Sequence, residues 1–119
     1  MYYVSKRMEI AGSHHLNLPY ESKCQNVHGH NWIVEVRCRS TELTPYGMVV
    51  DFTQIKKAVH DVLDHQDINT VIPDLNPTAE NMAKWICDTV NDIMEVGECY
   101  EVSVRESEGN IAIYERVVL

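Results

Sequence analysis

Residues 28–39 read His-Gly-His-Asn-Trp-Ile-Val-Glu-Val-Arg-Cys-Arg, and the fold can be worked out from this stretch. From Trp32 to Arg39, apolar side chains alternate with mostly charged ones, which is typical of a strand with one buried face. Because successive side chains of a strand point to opposite faces, His28 and His30 share the face of Trp32. The stretch therefore predicts a half-buried strand that carries two imidazoles at the mouth of its buried side.

Two neighbouring imidazoles favour a metal site, and zinc suits nitrogen ligands of this kind. A third ligand could come from the upstream pair His14 and His15. Three histidines without a cysteine would leave a coordination position open, which is typical of catalytic rather than structural zinc. Cys24 precedes His28 by four positions and would then act near the metal as a base or nucleophile. The alternative is an ordinary pair of surface histidines.

The flanking sequence predicts further strands and two helices. Residues 2 to 12 read as a strand whose inward parity extends to His14, and two more strands are expected at residues 100–106 and 111–118. Asp51 begins a helix that ends near residues 64 and 65, and Thr78 is a good N-cap for a second helix, closed by Gly97. Val49 and Val50 read as a short strand-like piece, and residues 67–77 as irregular.

This element order predicts an α+β fold in which a four-stranded antiparallel sheet carries two helices on one face. The other face of the sheet must then be solvated or covered by another subunit. With 119 residues, the chain is expected to form a single domain, residues 1–119.

Composition and charge exclude several classes of partner. A net charge of −8 argues against binding to nucleic acid and against docking on an anionic membrane surface. The first seven residues contain no apolar run, and no stretch is long enough to cross a bilayer, so we expect a cytoplasmic protein. The four cysteines form no Cys-x-x-Cys pair and are expected to be free thiols.

Two acidic positions are further candidates for a functional site. Asp64 and His65 lie together at the expected end of the first helix, where a histidine is also simply favourable against the helix dipole. Glu106 shares the inward parity of an apolar strand, where desolvation of a carboxylate is costly unless a partner meets it. The alternative for Glu106 is a strand-edge carboxylate in water.

Six short motifs occur in order along nearly the whole chain. They are Ser-His-x-Leu at 13–16, Cys-x-x-x-His-Gly-His at 24–30, Gly-Met-Val-Val-Asp-Phe at 47–52, Leu-Asp-His at 63–65, Pro-Thr-Ala-Glu-Asn at 77–81 and Val-Arg-Glu-Ser at 104–107. Each motif alone is weak, but the combination is highly specific. Together they resemble the tetrahydropterin synthase family, which comprises 6-pyruvoyltetrahydropterin synthases and 6-carboxytetrahydropterin synthases.

The resemblance implies a role for each matched residue. His14, His28 and His30 match the zinc ligands, because His15 stands where the family commonly has arginine. Cys24 matches the catalytic cysteine, and Asp64 with His65 matches the pair that shuttles protons. Glu106 matches the carboxylate that anchors the pterin ring and is linked to the proton relay.

The resemblance also implies the architecture and the reaction. The family fold is the T-fold, in which strands of several subunits form a barrel, usually in a homohexamer with active sites between subunits. The three residues between Cys24 and His28 resemble the 6-carboxy branch. This branch implies zinc-dependent conversion of 7,8-dihydroneopterin triphosphate to 6-carboxy-5,6,7,8-tetrahydropterin, with release of acetaldehyde and triphosphate, in queuosine biosynthesis. The alternatives are the 6-pyruvoyl reaction, without carbon–carbon cleavage, and a non-enzymatic module that binds zinc or pterin.

Overall fold

Strands β1 (Tyr2–His14) and β2 (His28–Ser40) pair antiparallel along their whole length in the computed structural model, which describes residues 1–117. Strands β4 (Glu98–Ser107) and β5 (Asn110–Glu115) continue the sheet beyond β2. These four antiparallel strands confirm the predicted sheet. The predicted end of the last strand, at Val118, lies outside the described residues.

A fifth strand, β3 (Gln66–Asp67), was not predicted from the sequence. It pairs parallel with the end of β1, so that the strand order is β3-β1-β2-β4-β5. Gly12 of β1 permits this approach, because a Cβ atom at that position would come within 2.7 Å of the carbonyl oxygen of Gln66. Because Gly12 has no side chain, the segment after the first helix can lie directly against the last residues of β1.

Helix α1 follows Asp51, whose side chain accepts a hydrogen bond from the backbone N–H of Thr53 at 2.8 Å, as the sequence predicts. The helix is not regular. It consists of an α-helical turn Phe52–Ile55, a π-helical turn Lys56–His60 and a last turn Asp61–Leu63. Asp64 and His65 come directly after it, and the backbone turns sharply at His65, where φ is +57°.

Helix α3 (Ala79–Ile93) begins at the predicted N-cap, Thr78, and ends four residues before Gly97. Between the two long helices, a short helix α2 (Ile68–Val71) interrupts the segment predicted to be irregular. Asp67 caps α2 by accepting a hydrogen bond from the N–H of Asn69 at 3.1 Å, which explains why a single helical turn forms there.

The core lies between the helices and one face of the sheet. The inward parity of β2 is fully buried from Trp32 to Cys38, as the alternating pattern predicts, and it packs against α1 and α3. Val49 and Val50 are both buried but form no strand, contrary to the prediction, because adjacent residues of a strand cannot face the same side. Among the residues that the structure describes, no helix is both long and apolar enough to cross a membrane.

Candidate metal and catalytic site

Three histidines meet where β1 ends and β2 begins. The strand register places His14 directly opposite His28, and His30 opposite Gly12. The three ring centroids are 4.6 to 5.0 Å apart, and one nitrogen from each ring lies within 4.8 Å of the others. The third histidine of the cluster is therefore His14, and His15 lies outside it.

Backbone carbonyls orient two of the three rings. Nδ1 of His14 lies 2.8 Å from the carbonyl oxygen of Pro77, and Nδ1 of His28 lies 2.7 Å from that of Asn26. A carbonyl oxygen only accepts hydrogen bonds, so each Nδ1 must carry the proton and each Nε2 presents its lone pair. Metal-binding histidines in proteins are held in this way by a partner on the other ring nitrogen.

The electrostatic environment suits a cation between the rings. His14 is fully buried, and burial lowers the pKa of its imidazole, with a smaller lowering from His28 and a partial compensation by the hydrogen bond to Pro77. The ring is therefore neutral at pH 7, which is the form that binds metals. Nε2 of His14 and Nε2 of His30 are both buried without a hydrogen-bond partner. These unpartnered ring nitrogens, and the all-nitrogen donor set, fit a divalent metal ion.

Glu106 lies beside this cluster, on β4. Its Oε1 atom is 3.4 Å from Nε2 of His14 and 3.5 Å from Nε2 of His30, and its side chain is 27% exposed. The inward-facing carboxylate that the sequence singles out thus has its partners at the histidine cluster. Cationic charge at the cluster would offset the desolvation of this carboxylate.

Cys24 shares a cavity with these residues. The cavity has a volume of about 430 Å³, and its lining consists of Leu16, Lys23, Cys24, His28, His30 and Glu106. Cys24 lies in a 3-10 turn (Lys23–Gln25), where its N–H donates to the hydroxyl of Ser22 at 3.2 Å. Since His14 contacts His28, His30 and Glu106, the structure brings together five of the seven predicted site residues.

Asp64 and His65 are not among the residues that line that cavity. Asp64 accepts a hydrogen bond from the N–H of Ala11 through Oδ1 at 3.0 Å, and its Oδ2 is 3.5 Å from Nε2 of His65. The His65 side chain is 82% exposed. Neither residue lines the Cys24 cavity within residues 1–117 of a single chain. The side chains of Asp64 and His65 thus lie next to each other, but the cavity of one chain contains Cys24 without them.

Several residues that support the site were not found from the sequence. The carbonyls of Asn26 and Pro77 orient two histidines, and the side chains of Asn69 and Asn76 bind the backbone just after His14. Backbone carbonyls leave no trace in residue type. The asparagines lie in the segment read as irregular, and two amides in such a segment were the only available signal.

The fold and the site together define a class of protein. It is an α+β domain in which one sheet end carries a cluster of three histidines, facing a cavity with a thiol and a carboxylate. A family model described as 6-pyruvoyl tetrahydropterin synthase matches residues 3–117. The chain therefore belongs to the 6-pyruvoyl tetrahydropterin synthase family.

Curated relatives carry two different names within this family. The chain is 33% identical to a human 6-pyruvoyl tetrahydrobiopterin synthase, with 93% of this chain and 89% of the relative covered. It is 31% identical to a 6-carboxy-5,6,7,8-tetrahydropterin synthase of Bacillus subtilis, with 93% and 83% covered.

Solved structures agree with the fold. A 6-pyruvoyl tetrahydropterin synthase of Caenorhabditis elegans superposes with a TM-score of 0.76 at 26% identity, covering 98% of this chain and 96% of that chain. The Plasmodium falciparum 6-pyruvoyl tetrahydropterin synthase gives a TM-score of 0.71 at 18% identity, with 98% of each chain covered. These neighbours confirm the predicted T-fold of a single chain.

Proposed function

We propose that the protein is a zinc-dependent enzyme that converts 7,8-dihydroneopterin triphosphate to 6-carboxy-5,6,7,8-tetrahydropterin, with release of triphosphate and acetaldehyde. The observation that carries this proposal is the meeting of His14, His28 and His30 with Cys24 and Glu106 around one cavity. A site that only binds zinc or pterin needs no thiol base beside the histidines.

The proposed domain is the whole chain, residues 1–119, and its location is predicted to be the cytoplasm.

The three histidines would hold the zinc ion through ring nitrogens. Their donor set leaves a coordination position open, which distinguishes catalytic from structural zinc. A zinc ion held there supplies Lewis acidity, which polarises carbon–oxygen groups of the bound side chain. The protein's own contribution is the orientation of the rings by the carbonyls of Asn26 and Pro77.

Glu106 would anchor the pterin ring. The amino group and ring N–H of a pterin form two parallel donors, as on guanine, and an ionised carboxylate accepts both. Glu106 borders the Cys24 cavity, and its partial exposure leaves it open to a ligand. A pterin held there would direct its side chain toward the histidine cluster.

Cys24 would act as the base. Its thiol borders the substrate cavity next to Lys23. The Cys24 Sγ would take the proton from the side-chain carbon next to the ring.

His65 would return a proton to the substrate. Because Nε2 of His65 faces Asp64, the other ring nitrogen of His65, Nδ1, would be free for this step.

Asp64 and His65 would act on a site that contains Cys24 of another subunit. The lining of the Cys24 cavity of a single chain, which includes neither residue within the described part of the chain, supports this arrangement. It agrees with the homohexamer, built as a barrel with sites between subunits, that the family resemblance implies. The sheet face opposite the helices is available for such an assembly, and exposed apolar residues on it include Tyr3 and Ile113.

The alternative is the 6-pyruvoyl reaction, in which triphosphate leaves and the carbon side chain stays whole. The match to a human enzyme of that name, at 33% identity, favours this alternative. The spacing of three residues between Cys24 and His28 favours the 6-carboxy reaction, as does the relative from B. subtilis. The 6-carboxy product would then enter queuosine biosynthesis.

Product analysis separates these reactions. The purified, zinc-loaded protein is incubated with 7,8-dihydroneopterin triphosphate, and the products are identified by mass spectrometry. Acetaldehyde and a carboxylated tetrahydropterin are expected. A three-carbon side chain retained on the ring, without acetaldehyde, would assign the protein to the 6-pyruvoyl branch. An unchanged substrate would refute the enzymatic proposal.

A further inference from the structure

Two asparagine side chains hold the backbone between His14 and Cys24 in the same way. The side chain of Asn69 accepts from the N–H of His15 at 2.9 Å and donates to the carbonyl of His15 at 3.1 Å. The side chain of Asn76 does the same with Asn17, at 2.9 and 3.1 Å. Each amide therefore replaces a neighbouring strand residue, since it satisfies both backbone groups of the residue it faces.

The intervening residue ties this segment to Cys24. The N–H of Leu16 donates to the carbonyl oxygen of Cys24 at 2.8 Å. His15 and Asn17 thus bind the two asparagines, while Leu16 between them binds the opposite side. Residues 15–17 follow the end of β1, and their backbone hydrogen bonds in the described part of the chain go to two side chains and the Cys24 turn.

The asparagines are themselves held in place. The N–H of Asn69 is capped by Asp67 at 3.1 Å, in the first turn of α2. The carbonyl oxygen of Asn76 accepts from the side chain of Asn81 at 2.9 Å, in the first turn of α3. Pro77, which orients His14, directly follows Asn76. The first turns of two helices therefore hold the two asparagines in place, rather than a free loop.

We propose that Asn69 and Asn76 are positioning residues for Cys24: through residues 15–17 they fix the turn that presents its thiol to the substrate cavity. The role of Cys24 as the base belongs to the proposed function, on which this inference rests. Neither asparagine lines the cavity, so both act through the backbone. A displaced base slows the reaction far more than it weakens substrate binding, because proton transfer depends steeply on geometry.

The chain offers a matched control at another place. Asn91 clamps Cys99 with the same pair of bonds, accepting from its N–H at 2.9 Å and donating to its carbonyl at 3.0 Å. This clamp joins α3 to β4 near the start of that strand, whereas Glu106 lies near its end. Replacement of Asn91 removes the same kind of contact without touching residues 15–17.

The first readout is the reactivity of Cys24 itself, which needs no substrate. Cys38, Cys87 and Cys99 are fully buried, whereas Cys24 is partly exposed. Hydrogen bonding with Cys38, together with burial, raises the pKa of Cys99 to about 12, and Cys87 is shifted in the same direction chiefly by its hydrogen bond with Cys99. Iodoacetamide should therefore modify Cys24 first, and peptide mass spectrometry gives the rate at that residue.

Asn69→Ala and Asn76→Ala should each raise the alkylation rate of Cys24 about tenfold. Each removes two hydrogen bonds that hold residues 15–17 in place, and residues 15–17 in turn hold the Cys24 turn. In the same variants, kcat should fall about tenfold to a hundredfold with a much smaller change in KM. Asn69→Asp and Asn76→Asp keep the side-chain volume and the acceptor for the N–H, but they place a carboxylate oxygen against the backbone carbonyl in place of the donor, so they should change both readouts in the same direction as alanine. They test the proposal if the alanine variants do not fold. Asn91→Ala should leave both readouts as in the wild type.

Wild-type alkylation and wild-type kcat in the Asn69 and Asn76 variants would overturn the proposal. An equal effect of Asn91→Ala would also overturn it, since it would show a general loss of stability. The two proposals fail separately. A wild-type protein that converts no pterin triphosphate refutes the proposed function, while the alkylation rates still decide whether the asparagines hold the Cys24 turn.

Discussion

Oε1 of Glu106 lies 3.4 Å from Nε2 of His14, although the two residues belong to strands that do not pair with each other. Nδ1 of His14 donates to the carbonyl of Pro77, so Nε2 of His14 carries no proton and presents a lone pair. The carboxylate oxygen that faces it has only lone pairs as well. Two acceptors that face each other need a proton or a cation between them. The short distance therefore couples the charge of the proposed metal site to that of the proposed pterin anchor.

Glu106→Gln should weaken substrate binding and turnover while the metal stays bound. An amide keeps the shape of the side chain but cannot accept two hydrogen bonds from a pterin edge, and loss of a charge-assisted bond costs about 1.5–3 kcal/mol. Steady-state kinetics, metal analysis and a thermal melt measure the three effects. Glu108→Gln, in the exposed turn two residues further on, is the matched control and should behave as the wild type. Loss of metal in Glu106→Gln would instead make Glu106 a ligand.

His28→Ala should lose most of its bound zinc, and His15→Ala should keep it. His28 belongs to the cluster of converging ring nitrogens, whereas His15 is adjacent in sequence to His14 but outside that cluster. The measurement is zinc content per chain after gel filtration, about one in the wild type if the three-histidine site binds a single ion. Full zinc in His28→Ala, or loss of zinc in His15→Ala alone, would contradict the ligand assignment.

Cys24→Ala should abolish turnover but keep zinc and the fold. The thiol is proposed as the base, and the cluster proposed to hold the metal consists of three histidines without Cys24. Kinetics and metal content are measured on the same preparation. If zinc and activity are lost together, Cys24 is a fourth ligand and the site is of the structural kind.

The metal-free protein should lose stability as the pH falls below about 6.5, the ordinary pKa of an unfolded histidine. Burial lowers the pKa of His14 in the folded state, so the unfolded chain binds a proton first. The stabilisation is therefore complete above the unfolded pKa and is lost as the pH falls toward the lowered pKa. Urea midpoints between pH 8 and pH 5 measure the slope, and His14→Gln should flatten it. An unchanged slope in that variant would show that His14 does not carry the effect.

The strands and the histidine pair were predictable because their signals are local. Alternation from Trp32 to Cys38 shows which face is buried, and the same parity places His28 and His30 together. Periodicity favours His14 over His15 only if the first strand continues beyond residue 12, and the sequence does not show where that strand ends. In the structure β1 reaches His14, and the register sets His14 opposite His28.

The supporting contacts could not have been predicted, because they join distant parts of the chain. Asn69 and Asn76 bind residues 54 and 59 positions away, and no local pattern specifies such pairs. The strand β3 likewise depends on the close approach that Gly12 permits. The separation of the Asp64–His65 pair from Cys24 is also a property of the folded chain, which a resemblance of motifs does not reveal.

That separation leads to a prediction about assembly. If Asp64 and His65 serve the Cys24 of another subunit, two inactive variants should complement each other in mixed oligomers. Cys24→Ala and His65→Ala, each inactive alone, should recover activity when co-expressed, because some sites then receive an intact Cys24 from one chain and an intact His65 from another. Light scattering should show a hexamer for each variant alone and for the co-expressed mixture.

A second pair of variants is the control for this experiment. Cys24 and Glu106 line the same cavity of one chain, so Cys24→Ala co-expressed with Glu106→Gln offers no site in which both residues are intact. This pair should recover no activity beyond that of Glu106→Gln alone. Equal recovery in both mixtures, or none in the first, would contradict a site completed by a second subunit, and a monomer would exclude it. Recovery in the first mixture alone would assign the Asp64–His65 pair to a neighbouring chain, because only a site shared between subunits can combine those two intact residues.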